Sequence, residues 1–201
     1  MFEQHKDPAA REILSALREE NRSLILEFAK SADILQARSE SNMTLLHSAI
    51  CEEKRQAVAA LLEAGANPNA IGGPAYYTAL HFAAYRNDAE TAQLLIRHGA
   101  DVNYCAPAAN TALHLAVYMG AKDVAYILLK AGADPKAGNC VIELARQRMD
   151  DIPSHRDLYA DILQMVSLWG SDHSEKVERD LQALRSLKPA RYRLGPGRQE
   201  R

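Results

Sequence analysis

Residues 78–83 read Thr-Ala-Leu-His-Phe-Ala, and this phrase occurs three times in the chain. The other copies are Thr-Leu-Leu-His-Ser-Ala at 44–49 and Thr-Ala-Leu-His-Leu-Ala at 111–116. Later in each unit comes a second shared phrase, a Leu-Leu pair followed by Gly-Ala and then Asn or Asp. Two motifs that return in phase, at a period of about 33 residues, predict an array of stacked repeats rather than one irregular core.

Each unit is expected to contain two short helices. The opening threonine is an N-cap residue whose hydroxyl accepts a first-turn backbone N–H. The second helix carries the Leu-Leu pair, and we expect it to end at a glycine in the left-handed conformation. Neither helix is long enough to be stable alone, so the units must stack on one another. The residues concerned are Thr44, Thr78 and Thr111 at the start and Gly65, Gly99 and Gly132 at the end.

The period and the Thr-x-Leu-His-x-Ala phrase are those of the ankyrin repeat, and the sequence resembles that family from about residue 10 to residue 169. The resemblance implies an all-α solenoid of stacked helix-turn-helix units with β-hairpin fingers. It further implies that His47, His81 and His114 are buried near the fingers and hydrogen-bond to the backbone.

The two ends of the array depart from the repeat pattern. The phrase at 140–145, Cys-Val-Ile-Glu-Leu-Ala, begins sooner after Thr111 than the repeat period requires, so the finger before it is about four residues short. Glu143 stands there in the place of the histidine. We therefore expect a degenerate N-terminal capping repeat at 1–35, three repeats at 36–139, a truncated repeat at 140–169, an amphipathic C-terminal capping helix at 170–187 and a flexible basic tail at 188–201.

Charge is unevenly distributed along the 201 residues. Lys and Arg total 24 against 26 Asp and Glu, a net charge of −2. The segment 185–201 carries six basic side chains and one acid, which leaves −7 on the segment 1–184. The sequence has no apolar run long enough to cross a membrane and no secretory signal at its start, and three cysteines are too few for a disulfide framework. These features favour a cytoplasmic protein with no membrane association.

No sequence pattern of catalysis or metal binding is present. There is no nucleophile elbow, no glycine-rich phosphate loop and no zinc-protease motif. The three regularly spaced histidines would lie about 10 Å apart in a stack, too far to share one ion. Cys51 and Cys140 lie on or beside helices, where cysteine behaves as a small hydrophobe, and Cys105 is expected to be exposed in a finger. We expect no catalytic residue, no cofactor, no metal and no enzymatic activity.

The unusual feature of the composition is tyrosine, with eight Tyr against three Phe and one Trp. Several lie in the fingers at 69–77 and 103–110, and others lie at the end of a first helix, where the resemblance implies that they face the concave groove. Tyrosine and arginine are enriched where proteins bind each other. The candidate partner-binding residues are Tyr76, Tyr77, Tyr85, Arg86, Tyr104, Tyr118 and Met119. The open alternative is that some rings, above all Tyr77, pack between fingers and stabilise the stack.

The function expected from these features is protein–protein interaction without catalysis. A single protein partner would bind to the fingers and the concave face of a chain that is monomeric when free. Within that class we expect an inhibitor, for example of the immunity type, or an adaptor, ahead of a host-directed ankyrin effector. A nucleic-acid-associated protein that uses the basic tail is an alternative, disfavoured because the acidic remainder repels a polyanion. Self-association through the helix at 172–187 is a further alternative.

Overall fold

The computed structural model describes residues 12, 15–28 and 35–169, so the helix and tail expected at 170–201 lie outside the described residues. The helices whose bounds lie within the described residues include α1 (Arg22–Phe28), α2 (Leu45–Cys51), α3 (Arg55–Glu63), α4 (Ala79–Tyr85), α5 (Ala89–Arg97), α6 (Ala112–Tyr118), α7 (Lys122–Lys130), α8 (Val141–Asp151) and α9 (Arg156–Trp169). A 3-10 turn (Pro153–His155) precedes α9, and two short strands, β1 (Ile71–Gly72) and β2 (Tyr77–Thr78), form an antiparallel finger.

The helices stack in two layers, as an all-α ankyrin-type solenoid requires. Each first helix packs on the next, in the order α2, α4, α6, α8, and each second helix does the same, in the order α1, α3, α5, α7, α9. Within a repeat the two helices pack on each other. Alanines such as Ala83 and Ala116 are fully buried and let the helices approach closely, while leucines such as Leu61 and Leu128 fill the space between layers.

The helix ends largely follow the sequence prediction. Gly65, Gly99 and Gly132 have φ of 92°, 83° and 92°, so all three are left-handed as expected. The hydroxyls of Thr44 and Thr111 accept hydrogen bonds from the first-turn backbone N–H at 3.5 and 3.2 Å.

The prediction of a hydroxyl cap is wrong at Thr78, which makes no bond to its first-turn N–H. Its hydroxyl donates to Nδ1 of His81 at 2.9 Å, the same ring bond that Thr44 makes to His47 at 2.7 Å.

The last repeat begins differently. Cys140 is the N-cap residue of α8, makes no side-chain cap bond and is exposed, so the expectation that it behaves as a small hydrophobe is wrong there. The backbone N–H of Asn139 donates to Ala109 O at 2.9 Å, which attaches the short connection to the finger before it. Among the described residues, no helix is both long and apolar enough to cross a membrane.

Candidate partner-binding surface

The histidine of the repeated phrase joins each repeat to the next finger. Nε2–H of His47 donates to Tyr77 O, and Nε2–H of His81 donates to Asn110 O, both at 3.1 Å. On the other side of each ring, Nδ1 accepts from the threonine hydroxyl three residues earlier, at 2.7 and 2.9 Å. Both rings are buried, and burial lowers the pKa of each to about 4. At neutral pH both rings are therefore uncharged. We call them histidine clamps because each holds its helix to the next finger.

His114 departs from this arrangement. Its Nδ1 is buried and has no hydrogen-bond partner among the described residues. No ring bond to a following finger is formed within that part of the chain, because the next finger is the shortened one. The expectation that all three histidines hydrogen-bond to backbone is therefore wrong at the third repeat.

Aromatic rings fill the inside of the fingers. Tyr77 stacks on His81 with ring centroids 5.0 Å apart and planes inclined by 9°. Tyr104 contacts the same histidine edge-on at 5.7 Å, and its hydroxyl donates to Tyr76 O at 3.3 Å. Gly72 has no room for a side chain, since a Cβ would lie 2.8 Å from the ring of His47. Tyr77 and Tyr104 are thus half-buried and brace the fingers from within.

Asparagine side chains connect the loops that lead into the fingers. Nδ2–H of Asn69 donates to Gly99 O at 2.9 Å, and its Oδ1 accepts from the N–H of Asp101 at 2.7 Å. Asn103 repeats both bonds one unit later, with Gly132 O and the N–H of Asp134. Successive fingers are therefore held in fixed relative positions before any partner arrives.

Three of the candidate tyrosines are open to solvent. Tyr76, Tyr85 and Tyr118 have 50%, 51% and 43% of their surface exposed, and with Leu24 they are the exposed large hydrophobic residues of the described part of the chain. Tyr85 and Tyr118 are the last residues of α4 and α6, so they occupy the same position in successive repeats. Tyr76 lies in the turn between β1 and β2 with a left-handed φ of 55°.

The remaining candidates, Arg86 and Met119, directly follow Tyr85 and Tyr118 at the ends of the same helices. Arg86 is exposed and forms an ion pair with Glu53 at 3.0 Å, whereas Met119 is half-buried.

One neighbouring residue was missed by the sequence analysis. The guanidinium carbon of Arg148 in α8 lies 4.6 Å from the ring centroid of Tyr118. Its Nε–H donates to the hydroxyl of Tyr159 at 3.4 Å, and that hydroxyl donates to Tyr118 O at 3.2 Å. Cys140 opens the truncated repeat as Thr111 opens the one before it, and Arg148 lies as many residues after Met119 as Cys140 lies after Thr111. Arg148 is therefore the residue of the last repeat that is equivalent to Met119. Aligning the truncated repeat at that offset would have placed Arg148 on this face.

The rest of the surface offers little reactive chemistry within the described ranges. Groups of three or more His, Cys, Asp or Glu that could hold a metal ion are absent from them. Burial raises the pKa of the half-buried Cys51 thiol, which keeps it protonated at neutral pH. Cys105 is exposed.

Comparison with known proteins agrees with this architecture. A family model described as "Ankyrin repeats (3 copies)" matches residues 71–139, and one described as "Ankyrin repeat" matches residues 41–72. The chain is 52% identical over 48 residues to mouse "Ankyrin repeat and SOCS box protein 6", a segment covering 24% of this chain and 12% of that protein. It is 39% identical over 71 residues to "Protein PhlB" of Serratia liquefaciens, covering 35% of this chain and 31% of that protein.

The similarity to these relatives thus spans less than a third of the length of each of them. The family models cover α2 to α7 of the two-layer stack, with the helix ends that carry Tyr85 and Tyr118 and the finger that carries Tyr76. Ankyrin repeats are in general protein–protein interaction modules. Residues 41–139 are ankyrin repeats.

Proposed function

We propose that this chain binds one protein partner through its fingers and concave face and acts on that partner without catalysis, as an inhibitor, for example of the immunity type, or as an adaptor. The observation that carries the proposal is the exposure of Tyr76, Tyr85 and Tyr118. They make up three of the four exposed large hydrophobic residues in the described part of the chain. They are also among the candidate partner-binding residues that residue type and position in the repeat predict.

The chemistry of the fingers supports a protein partner. No Asp, Glu, Lys or Arg occurs at 70–78 or 102–111, although 25% of the chain is charged. Depletion of charge together with enrichment of tyrosine is the composition of the buried centre of protein interfaces. Tyrosine adds a large contact area and a hydroxyl at a small cost in side-chain entropy.

The rigidity of the fingers supports tight binding. Histidine clamps, stacked rings and asparagine bonds already order the surface, so docking freezes few additional groups. Pre-ordering of this kind increases affinity because less conformational entropy is lost on association. An inhibitor needs a long-lived complex that covers a functional site of its partner, and this property therefore favours the inhibitor over the adaptor.

The backbone at Tyr76 supports a role in binding. A left-handed φ of 55° disfavours a residue with a Cβ by about 1 kcal/mol or more. The equivalent positions, two residues before each repeated phrase, are Asn42, Ala109 and Gly138, all with positive φ. A large, half-exposed ring at a position that suits glycine adds little to folding, and contact with a partner would explain its presence.

The test compares two triple variants of the full chain. The first replaces the three exposed tyrosines by alanine. The matched control replaces exposed glutamines on the second-helix layer by alanine, namely Gln56, Gln93 and Gln164. Both should melt within a few degrees of the wild type. A partner captured by wild-type protein from cells of the source organism, identified by mass spectrometry and purified, should bind the control normally and the tyrosine variant at least about 100-fold more weakly.

Full affinity of the tyrosine variant would contradict the proposal. The activity of the purified partner then separates the two finer roles. An inhibitor abolishes that activity at one equivalent, and an immunity-type inhibitor also protects cells that express the partner. An adaptor leaves the activity unchanged and brings a second protein into the complex.

A further inference from the structure

Arginines on the face formed by the ends of the first helices pair with acids of a neighbouring repeat. Nε of Arg18 lies 3.8 Å from the Glu52 carboxylate, and a terminal nitrogen of Arg86 lies 3.0 Å from that of Glu53. These pairs neutralise the N-terminal half of the face.

Arg148 continues this face in the last repeat but has a different environment. Among the described residues no carboxylate lies within 4.0 Å of its guanidinium group, and Glu143 on the same helix pairs with Arg146 instead, at 3.5 Å. The guanidinium lies over Tyr118 and within 5.9 Å of the ring centroid of Tyr159. Within the described part of the chain only its Nε–H is used, in the bond to the hydroxyl of Tyr159.

This geometry suits recognition of an anion. A guanidinium stacked on an aromatic ring is held in one orientation and keeps its terminal N–H groups in the plane of the fork. Those groups match the two oxygens of a carboxylate in a bidentate pair. Because Arg148 is half-buried against two rings, such a pair would be screened less than an ion pair at the open surface.

We infer that Arg148 recognises a carboxylate of the partner, so that the bound segment is an acidic peptide stretch of a protein with an apolar or aromatic side chain next to its Asp or Glu. The carboxylate docks on Arg148, and the neighbouring side chain packs on the exposed rings of Tyr118 and Tyr85. This inference rests on the proposed function and adds the chemistry of the partner to it.

Charge elsewhere argues for a protein carboxylate rather than a polynucleotide. The described residues contain 18 Asp and Glu against 13 Lys and Arg, a net charge of −5. A polyanion is repelled by such a surface, whereas one or two carboxylates are accommodated at a single arginine.

The test is a selection followed by a double-mutant cycle. A phage-displayed library of random decapeptides is selected on wild-type protein and counter-selected on the variant that lacks the three exposed tyrosines. Selected peptides should share an Asp or Glu beside an apolar residue. A synthetic peptide of this kind should bind the Arg148→Gln variant at least about tenfold more weakly by fluorescence anisotropy, and Arg146→Gln, on the same helix, normally.

The decisive comparison is the same peptide with its acid changed to the amide. On wild-type protein this change should weaken binding about tenfold, and on Arg148→Gln it should have no effect. Two outcomes would overturn the role of Arg148 and leave the proposed function intact. In the first, the selected peptides need the tyrosines but carry no Asp or Glu. In the second, the change from acid to amide weakens binding equally on wild-type protein and on Arg148→Gln. A library with no peptide that prefers wild type to the tyrosine variant would overturn both.

Discussion

Acid should destabilise this protein through the two histidine clamps. The pKa of His47 and His81 is lowered to about 4 in the folded chain, chiefly by burial, whereas an exposed histidine in the unfolded chain has a pKa of about 6.5. The unfolded chain therefore binds protons first. The stabilisation is complete above pH 6.5 and is lost as the pH falls toward 4.

The size of the effect follows from those two pKa values. Acidification through the whole interval between the two pKa values would lower the free energy of unfolding by about 3.4 kcal/mol for each histidine. Acidification from pH 7.5 to pH 5 would lower it by about 2 kcal/mol for each. His47 and His81 together should therefore lower the free energy of unfolding by about 4 kcal/mol at pH 5. The positive charge of Arg38 is one of the causes of the lowered pKa of His47, after burial.

Urea unfolding at pH 7.5 and pH 5, followed by circular dichroism, measures this loss. The control is the His47→Gln, His81→Gln double variant, which keeps polar side chains but cannot titrate in this range. Carboxylates titrate alike in both proteins, so the difference between their pH dependences isolates the histidines. Equal pH dependence of wild type and double variant, or a difference under about 1 kcal/mol, would refute the assignment of these rings as buried neutral clamps.

Two further pairs of substitutions test the finger contacts. Because the ring of His114 bonds to no described finger, His114→Leu should change the free energy of unfolding by less than about 1 kcal/mol, whereas His81→Leu should lower it by about 2 kcal/mol in the same urea titration. Gly138→Ala should be more destabilising than Gly132→Ala by at least about 1 kcal/mol in thermal melts. Both glycines have positive φ, but a Cβ at Gly138 would clash with Ala109 O, and one at Gly132 meets nothing within 4 Å. Similar melting temperatures of the two glycine variants would contradict the clash.

Much of the fold could be predicted because the determining interactions are local. A threonine at the N-cap, apolar residues at helical spacing and a glycine at the end lie within one repeat, so their positions along the chain define the helices. The same pattern failed at Thr78, whose hydroxyl bonds to the ring of His81 and makes no bond to the first-turn N–H. Thr44 makes both bonds within the same local pattern, so the difference in geometry at Thr78 is not encoded in the repeated phrase.

Which finger tyrosines point outward and which point inward could not be predicted from the sequence, for a related reason. Tyr76 and Tyr77 are adjacent, yet one ring is exposed and the other stacks on His81. The register of the finger, in which Gly72 faces Tyr77, and the left-handed backbone at Tyr76 decide this. Neither is encoded in the repeated phrase.

Arg148 was missed because its position depends on the register of the truncated repeat and on Tyr159 of the following helix. The repeated phrase does not extend to either of these features. The candidate surface could therefore be located from the sequence, but its inner and outer residues could not be separated.

The central claim is that the exposed tyrosines serve binding and not folding. The most direct measurement compares Tyr76→Gly with Ala109→Gly, which change equivalent left-handed positions, with φ of 55° and 57°, in successive fingers. Both should leave the free energy of unfolding unchanged or raise it by up to about 1 kcal/mol, because glycine adopts this φ freely. Only Tyr76→Gly should weaken binding of the captured partner, by about tenfold or more. A Tyr76→Gly protein that is destabilised, or that binds as tightly as Ala109→Gly, would contradict the account.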